Sequence, residues 1–332
     1  MAISKLTALF LFFLLPVLCS SQEGLPVYHD YLSDNWYLIH PAMAGAGQGG
    51  KVRLTARKQW FDAKRAPNLQ TLNAHMRISD RSGAGIILLN DENGYHSQTG
   101  IKLTYAHHLR FSRDLIDLHQ LSFGLNVGLL QSRLDESEFM SLVPDPIVSG
   151  GNLQSTYYNV DLGLSYHFLE FFFHVTLKNL LGTGRDLYTV EEIDNLRRYL
   201  VTSGYVFGKN SWQYEPSVLF QYADYTRESM ADLNFKVYKQ LTGITLWGGM
   251  SYRTSLESGS KAALNAATYG QGLDLLTALA GFNYGNFMFS YTYSYQTGDA
   301  IFDAGGFHQI TLGYDFLKGK QPYDCKCPAV NY

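Results

Sequence analysis

Residues 287–296 read Phe287-Met288-Phe289-Ser290-Tyr291-Thr292-Tyr293-Ser294-Tyr295-Gln296. Successive side chains of an extended strand point to opposite faces. Phe287, Phe289, Tyr291, Tyr293 and Tyr295 therefore share one face, and Ser290, Thr292, Ser294 and Gln296 share the other. The same period-two pattern recurs over 121–130, where Leu121, Phe123, Leu125, Val127 and Leu129 oppose Ser122, Gly124, Asn126 and Gly128. Over 158–168, Tyr158, Val160, Leu162, Leu164, Tyr166 and Phe168 oppose Asn159, Asp161, Gly163, Ser165 and His167. Over 308–316, His308, Ile310, Leu312, Tyr314 and Phe316 oppose Gln309, Thr311, Gly313 and Asp315.

Fourteen such segments are predicted, near 51–61, 69–78, 83–90, 98–108, 120–132, 157–168, 170–178, 197–207, 211–222, 230–238, 243–253, 273–284, 286–296 and 307–317. Most have about the 9–11 residues that a tilted membrane strand needs. An even strand number is the rule for single-chain bacterial barrels. The gaps after even-numbered segments are short, with 109–119 as the exception, and those after odd-numbered segments are longer. Tight turns at one end and long loops at the other is the barrel rule, with the tight turns in the periplasm. A soluble sandwich would need a second sheet over the aromatic face, and no stretch of the chain is left to form one. The reading is an all-β chain: a transmembrane antiparallel β-barrel of about 14 strands over 51–317. Strand one then runs outward, and the N-terminal segment and C-terminal tail are periplasmic.

Composition agrees. Aromatic residues make up 14% of the 332 residues, too many for a disordered chain. Charged residues are 17%, below the roughly 25% of ordinary globular chains. Mean hydropathy is -0.13, too low for a bundle of membrane helices. Lys and Arg number 26 against 29 Asp and Glu, a net charge of -3, so a basic nucleic-acid footprint is excluded.

The chain opens with Lys5, an apolar run from Leu6 to Leu18, and small residues at Cys19, Ser20 and Ser21. This is the order of a secretory signal peptide, 1–21, cleaved before Gln22. A lipoprotein reading of Cys19 fits poorly with the bulky Leu18. Residues 22–50, with Pro26, His40-Pro41 and the small-residue run Ala42 to Gly50, are not strand-like and are expected to run in the periplasm or fold into the lumen. Fourteen strands leave a lumen that side chains alone do not fill. Lys51, Arg53, Arg57, His75, Arg77, Lys102, Asp161, His167, Lys178, Glu215, Asp232, Lys236, Arg253 and Asp315 are predicted to point into it. In the first strand Val52, Leu54 and Ala56 take the lipid face, Arg57 and Gln59 the lumen, and Trp60 an outer interfacial position. A buried arginine needs a carboxylate or carbonyls. The 22–50 segment supplies Glu23, Asp30, Asp34 and the carbonyls of its Gly-rich run. It is therefore expected to dock at or inside the barrel's periplasmic mouth, held partly by Lys51, Arg53 and Arg57, with wall carboxylates such as Asp161 or Asp315 as the competing partners.

Chemical motifs are missing. There is no Gly-x-Ser-x-Gly, no His-Glu-x-x-His and no phosphate loop. Gly45-Ala46-Gly47-Gln48-Gly49-Gly50 lacks the Lys-Ser/Thr ending of such a loop. His107-His108 sits at a strand end. Cys325 and Cys327 in the tail 318–332 are two ligands where a structural zinc needs four. No catalytic, cofactor or metal site is predicted.

An ordered set of motifs does carry a resemblance: His40-Pro41-Ala42-Met43-Ala44-Gly45, Arg57-Lys58-Gln59-Trp60 with Ala66-Pro67, Leu121-Ser122-Phe123-Gly124, Glu215-Pro216-Ser217, Asp232-Leu233-Asn234, Trp247-Gly248-Gly249 with Tyr252-Arg253, and Gly306-Phe307-His308-Gln309-Ile310 before a Cys327-Pro328 tail. The set resembles the PorP/SprF family of type IX secretion outer-membrane proteins of Bacteroidetes over nearly the whole mature chain. His40 stands where the family has Asn, and Gln309 where it has Glu. The resemblance implies a non-enzymatic Gram-negative outer-membrane barrel that supports secretion or surface attachment of specific cargo such as gliding adhesins. Its partners would be the type IX translocon, periplasmic type IX components, cargo with a type IX C-terminal domain, and outer-membrane lipid. A general or substrate-specific porin is the alternative, and a barrel enzyme the more distant one.

Overall fold

The computed structural model describes residues 30–47, 49–59, 65–112, 117–138, 151–181, 197–209, 211–224, 227–256, 274–297 and 306–317. The predicted signal segment 1–21, Glu23, Trp60, the tail 318–332 with Cys325 and Cys327, and most of the longer connections lie outside the described residues. Fourteen antiparallel strands close into a barrel: β1 (Gly50–Lys58), β2 (Asn68–Ser79), β3 (Ser82–Asn93), β4 (His96–Arg110), β5 (His119–Asp135), β6 (Asn152–Phe168), β7 (Phe171–Lys178), β8 (Arg198–Tyr205), β9 (Trp212–Ala223), β10 (Ser229–Leu241), β11 (Ile244–Ser255), β12 (Leu275–Tyr284), β13 (Phe287–Gln296) and β14 (Phe307–Phe316). Closure is made by β1 on β14, in register from Gly50 opposite Phe316 to Lys58 opposite His308.

Alternation sorts the side chains by medium. On β4, Leu103 is 60% exposed on the outer face while its neighbour Thr104 is buried inside. On β13, Tyr291 and Tyr295 face outward and Ser290, Thr292 and Ser294 face the buried lumen. An outer wall of exposed Leu, Phe and Tyr fits hydrocarbon, and the polar interior hydrogen-bonds to itself.

Several strand ends differ from the sequence reading. The predicted loop 91–97 is strand, because β3 and β4 meet in a two-residue turn at Gly94-Tyr95. Gly94 has φ 63, which that tight turn requires and glycine supplies. β5 and β6 extend to Asp135 and back to Asn152, beyond the expected 132 and 157. The added outward residues Arg133, Asp135, Asn152, Gln154 and Thr156 are polar, so they rise out of the apolar band, while Leu134 and Leu153 pair on the inner side. β1 ends at Lys58, short of the expected 61. The barrel therefore has a tight-turn end, where β2 meets β3 and β12 meets β13, and a long-loop end opposite.

Residues 30–47 lie inside the barrel. Three short 3-10 helices, Asp30–Ser33, Trp36–Leu38 and Pro41–Met43, cross the lumen and lead to β1 at the tight-turn end. Tyr31, Leu32, Trp36, Tyr37, Ile39 and Met43 are buried there and form one apolar cluster with wall residues Ile87, Phe172, Leu200, Leu219, Tyr238 and Met288. Burying side chains such as Leu32, Ile39 and Met43 contributes roughly 1.5–3 kcal/mol each.

Candidate functional site: the plugged lumen

The plug is held by polar bonds spread around the wall. The Tyr31 hydroxyl donates to Asp232 Oδ2 at 2.7 Å and lies 3.3 Å from Asn234 Oδ1. Asp232 is itself gripped by Arg253, whose Nε and a terminal nitrogen donate at 2.6 and 2.7 Å. Asp34 accepts from Lys236 Nζ at 2.5 Å and from the Tyr238 hydroxyl at 2.9 Å. Lys236 also pairs with Glu215 at 2.9 Å. Two acids and one base in a largely buried cluster are stable only with such mutual bonding. Ser290 donates to Ser33 at 2.9 Å.

Further along, Trp36 packs on Phe172 and His174 with ring centroids 5.7 and 5.8 Å away. The Tyr37 hydroxyl is 2.6 Å from Thr104 Oγ1. His40 is bracketed by Thr176 Oγ1 at 2.8 Å and Thr202 Oγ1 at 2.9 Å. Burial pushes its imidazole well below the usual range, with Lys178 adding to the effect, so the ring is held neutral. His108 Nε2 lies 3.1 Å from the Ala44 carbonyl. The Gly45 N–H donates to His75 Nδ1 at 3.0 Å. Arg77 donates from Nε to the Gly45 carbonyl and from a terminal nitrogen to the Ala46 carbonyl, both at 3.0 Å.

Wall glycines make room for this chain. A Cβ at Gly124 would collide with the backbone of Pro41 and Ala42, one at Gly163 with the Pro41 ring, one at Gly85 with the Tyr37 hydroxyl, and one at Gly83 with Ala44. Gly in a strand interior often marks close approach of another backbone. Here four such glycines outline the path of the plug.

Most of the quoted motifs meet at this seat. His40, Pro41, Ala42 and Gly45 are the plug's own contact residues. Glu215 supports Lys236, and Ser217 accepts from Asn234 at 3.4 Å. Asp232 and Asn234 hold Tyr31, and Arg253 holds Asp232. Gly249 leaves space for Lys236, since a Cβ there would meet its Cα at 3.0 Å. Pro216 lies between Glu215 and Ser217 on the outer face.

The expected anchors of the plug are corrected. Arg53 donates to Asp315 at 2.6 Å across the β1–β14 seam, a wall carboxylate rather than the plug. Arg57 stands cross-strand from Gln309, 5.7 Å over the Phe307 ring, toward the long-loop end. Lys51 faces His75 and Asp315 across its two neighbours. The described plug residues bond to β2, β4, β7, β8, β10 and β13 and rest on β3, β5 and β6, because the segment crosses the lumen before it turns down to β1.

The remaining motif residues gather near the long-loop end. The Gln59 N–H donates to the Pro67 carbonyl at 3.0 Å. A Cβ at Gly306 would strike the Ser294 carbonyl. His308 faces outward with Nδ1 2.6 Å from the Tyr291 hydroxyl, and Gln309 is buried inside. A cleft of about 370 Å³ opens nearby, lined by Lys58, Arg65, Asn68, Glu92, Tyr95 and Arg133. Arg65 lies 4.4 Å over the Tyr95 ring and pairs with Glu138 at 2.9 Å. Among the described residues no group of three or more His, Cys, Asp or Glu is placed to hold a metal ion.

Fold and lumen together define a membrane β-barrel of fourteen strands closed by its own N-terminal segment. The sequence pattern of the type IX secretion system membrane protein PorP/SprF family matches residues 20–314, so the chain belongs to that family and the barrel is an outer-membrane one. No curated protein matches the chain. Similar solved structures are barrels. The CymD monoaromatic hydrocarbon channel is 10% identical, with 81% of this chain and 88% of that chain covered and a TM-score of 0.46. A deltaS2 mutant of the TodX monoaromatic hydrocarbon channel is 12% identical, with 85% and 93% covered and a TM-score of 0.48. BamA from Haemophilus ducreyi lacking POTRA domains 1–3 is 8% identical, with 81% and 70% covered and a TM-score of 0.39.

Proposed function

We propose that this protein is a non-enzymatic component of a type IX secretion system that supports secretion or surface attachment of specific cargo, gliding adhesins among them. One observation carries the reading: in a member of this secretion family the lumen is occupied by the chain's own residues, bonded all round the wall. A barrel filled in this way is poorly suited to free diffusion, and its mouths are left to serve partners. The partners on this reading are the type IX translocon and its periplasmic components, cargo bearing a type IX C-terminal domain, and outer-membrane lipid. The tight-turn end and both chain termini lie in the periplasm, and the long-loop end faces outside.

The test is deletion of the gene with quantification of type IX substrates at the cell surface and in the medium. Loss of one or a few substrates, restored by the wild-type gene, is expected. Wild-type levels of every substrate in the deletion strain, together with steady porin-like conductance of the purified barrel, would overturn the reading.

A further inference from the structure

We propose that the plug is an acid-released strap: protonation of the imidazoles that line its seat lifts residues 37–45 from the β2–β8 wall and opens the barrel. Five of the ten histidines gather at this contact. His40 belongs to the plug, and His75, His108, His167 and His174 belong to β2, β4, β6 and β7. His174 links two others, with ring centroids 4.9 Å from His40 and 5.2 Å from His167. His40, His108, His167 and His174 are at 0% exposure, and His75 is half-buried.

Their bonding suits neutral rings. His75 Nδ1 accepts the Gly45 N–H, which an imidazolium cannot do. Neither nitrogen of His167 has a hydrogen-bond partner among the described residues, and His174 Nε2 has none either. His174 Nδ1 is 2.8 Å from Ser165 Oγ, and His108 Nδ1 is 2.8 Å from Ser122 Oγ with Gln120 Nε2 at 3.4 Å. A proton added at His167 or at His174 Nε2 would sit in a closed site with no acceptor ready for it among the described residues, at a cost that water outside removes.

Cations stand beside two of these rings. Lys178 of β7 acts on His40. Lys51 of β1 stands directly cross-strand from His75. The other side of the plug differs. Tyr31 and Asp34 are tied to Asp232, Arg253, Lys236 and Glu215, a cluster without an imidazole. Acid therefore loosens one side of the plug and leaves the other moored.

The sign follows from linkage. The closed state holds the rings neutral, so it is favoured above the ordinary imidazole value near pH 6.5 and weakened as pH falls. Each ring that takes a proton only in the open state shifts the closed-to-open ratio by on the order of 25-fold between pH 7 and pH 5. Two such rings multiply.

The full-length protein in planar bilayers tests this, with conductance recorded at pH 7.5 and pH 5.0 and hydrogen exchange followed over residues 36–47, corrected for intrinsic rates. At least a tenfold rise in open time at pH 5.0, reversed on return to pH 7.5, is expected, with faster exchange in that segment. The combined variant H75Q/H167Q/H174Q should lose at least tenfold of the acid response. If that variant does not assemble, H167Q alone decides, and a several-fold smaller response is expected. A wild-type barrel that stays closed at pH 5.0, an unchanged acid response in the variants, or opening accompanied by loss of folded, heat-modifiable gel mobility would each refute the proposal.

Discussion

Gly124→Ala is the sharpest perturbation of the plug. A Cβ built there lies 2.6 Å from Ala42 Cα and closer still to the Pro41 carbonyl carbon and Ala42 nitrogen. Ordinary contact begins near 3.4 Å, so the Pro41–Met43 turn must move away by about 1 Å. The atoms in the way are backbone, and the turn is fixed on both sides by His40 and by Ala44 and Gly45, so the strain is not relieved by one rotamer. Overpacking of this kind costs about 1–3 kcal/mol, which is roughly a 5–150-fold shift toward the open barrel. Gly128→Ala is the matched control on the same strand and face. Its Cβ would lie 2.8 Å from Lys102 Cγ, the stem of a flexible side chain, and its nearest neighbours are Lys102 and Ile101 of β4 rather than the plug. Bilayer conductance reads the difference, and heat-modifiable gel migration verifies that both barrels are assembled. Tight closure in Gly124→Ala, or equal leakage in Gly128→Ala, would refute the placement of the plug on this wall.

Three further outcomes are expected. Lys236→Met leaves Asp34 and Glu215 buried together without their cation; a loss of about 3–5 kcal/mol should appear as a lower temperature of barrel unfolding on gels and as leakage. Leu103→Arg places a charge at the middle of β4 on the outer face and should cost about 2–4 kcal/mol in assembly, whereas Thr99→Arg, outward but above the apolar residues, should cost about 0–1 kcal/mol; comparable assembly yields would mean that the membrane lies elsewhere. An epitope inserted between Gly94 and Tyr95 should be reached by antibody on intact cells, and one inserted at Gly285 only after permeabilisation; the opposite result would reverse the proposed orientation.

The strands were legible because lipid and lumen impose opposite demands on alternate residues. Where both faces are polar that signal vanishes, which is why Asp91–Asn93 and His96–Ser97 read as a loop although they belong to a hairpin. The plug was legible only as a non-strand segment before β1. Its anchors were not, because Tyr31 meets Asp232 and Asp34 meets Lys236 about two hundred positions away, and no local pattern encodes which wall a crossing segment reaches. Arg53 misled for the same reason: closure of β1 on β14 brings Asp315 within reach. A usable signal was present in the inward glycines. Gly124 and Gly163 sit at lumen positions of long strands where a side chain would otherwise be expected, and they mark where the wall must be thin.

The sequence order of the plug's attachments determines how it responds to force. Tyr31 and Asp34 grip β10, Tyr37 meets β3 and β4, His40 meets β7 and β8, Pro41 and Ala42 rest on β5 and β6, and Ala44 to Ala46 end on β2 and β4. These attachments lie in series along the chain. A load applied N-terminal to Tyr31 falls first on the Tyr31 and Asp34 bonds, and reaches His40 only after they part. The β1–β14 seam carries its nine residue pairs side by side, so a shear load there is shared among all of them. Under tension the plug therefore peels in small steps, its peak force set by the strongest single attachment, while the surrounding ring holds its shape.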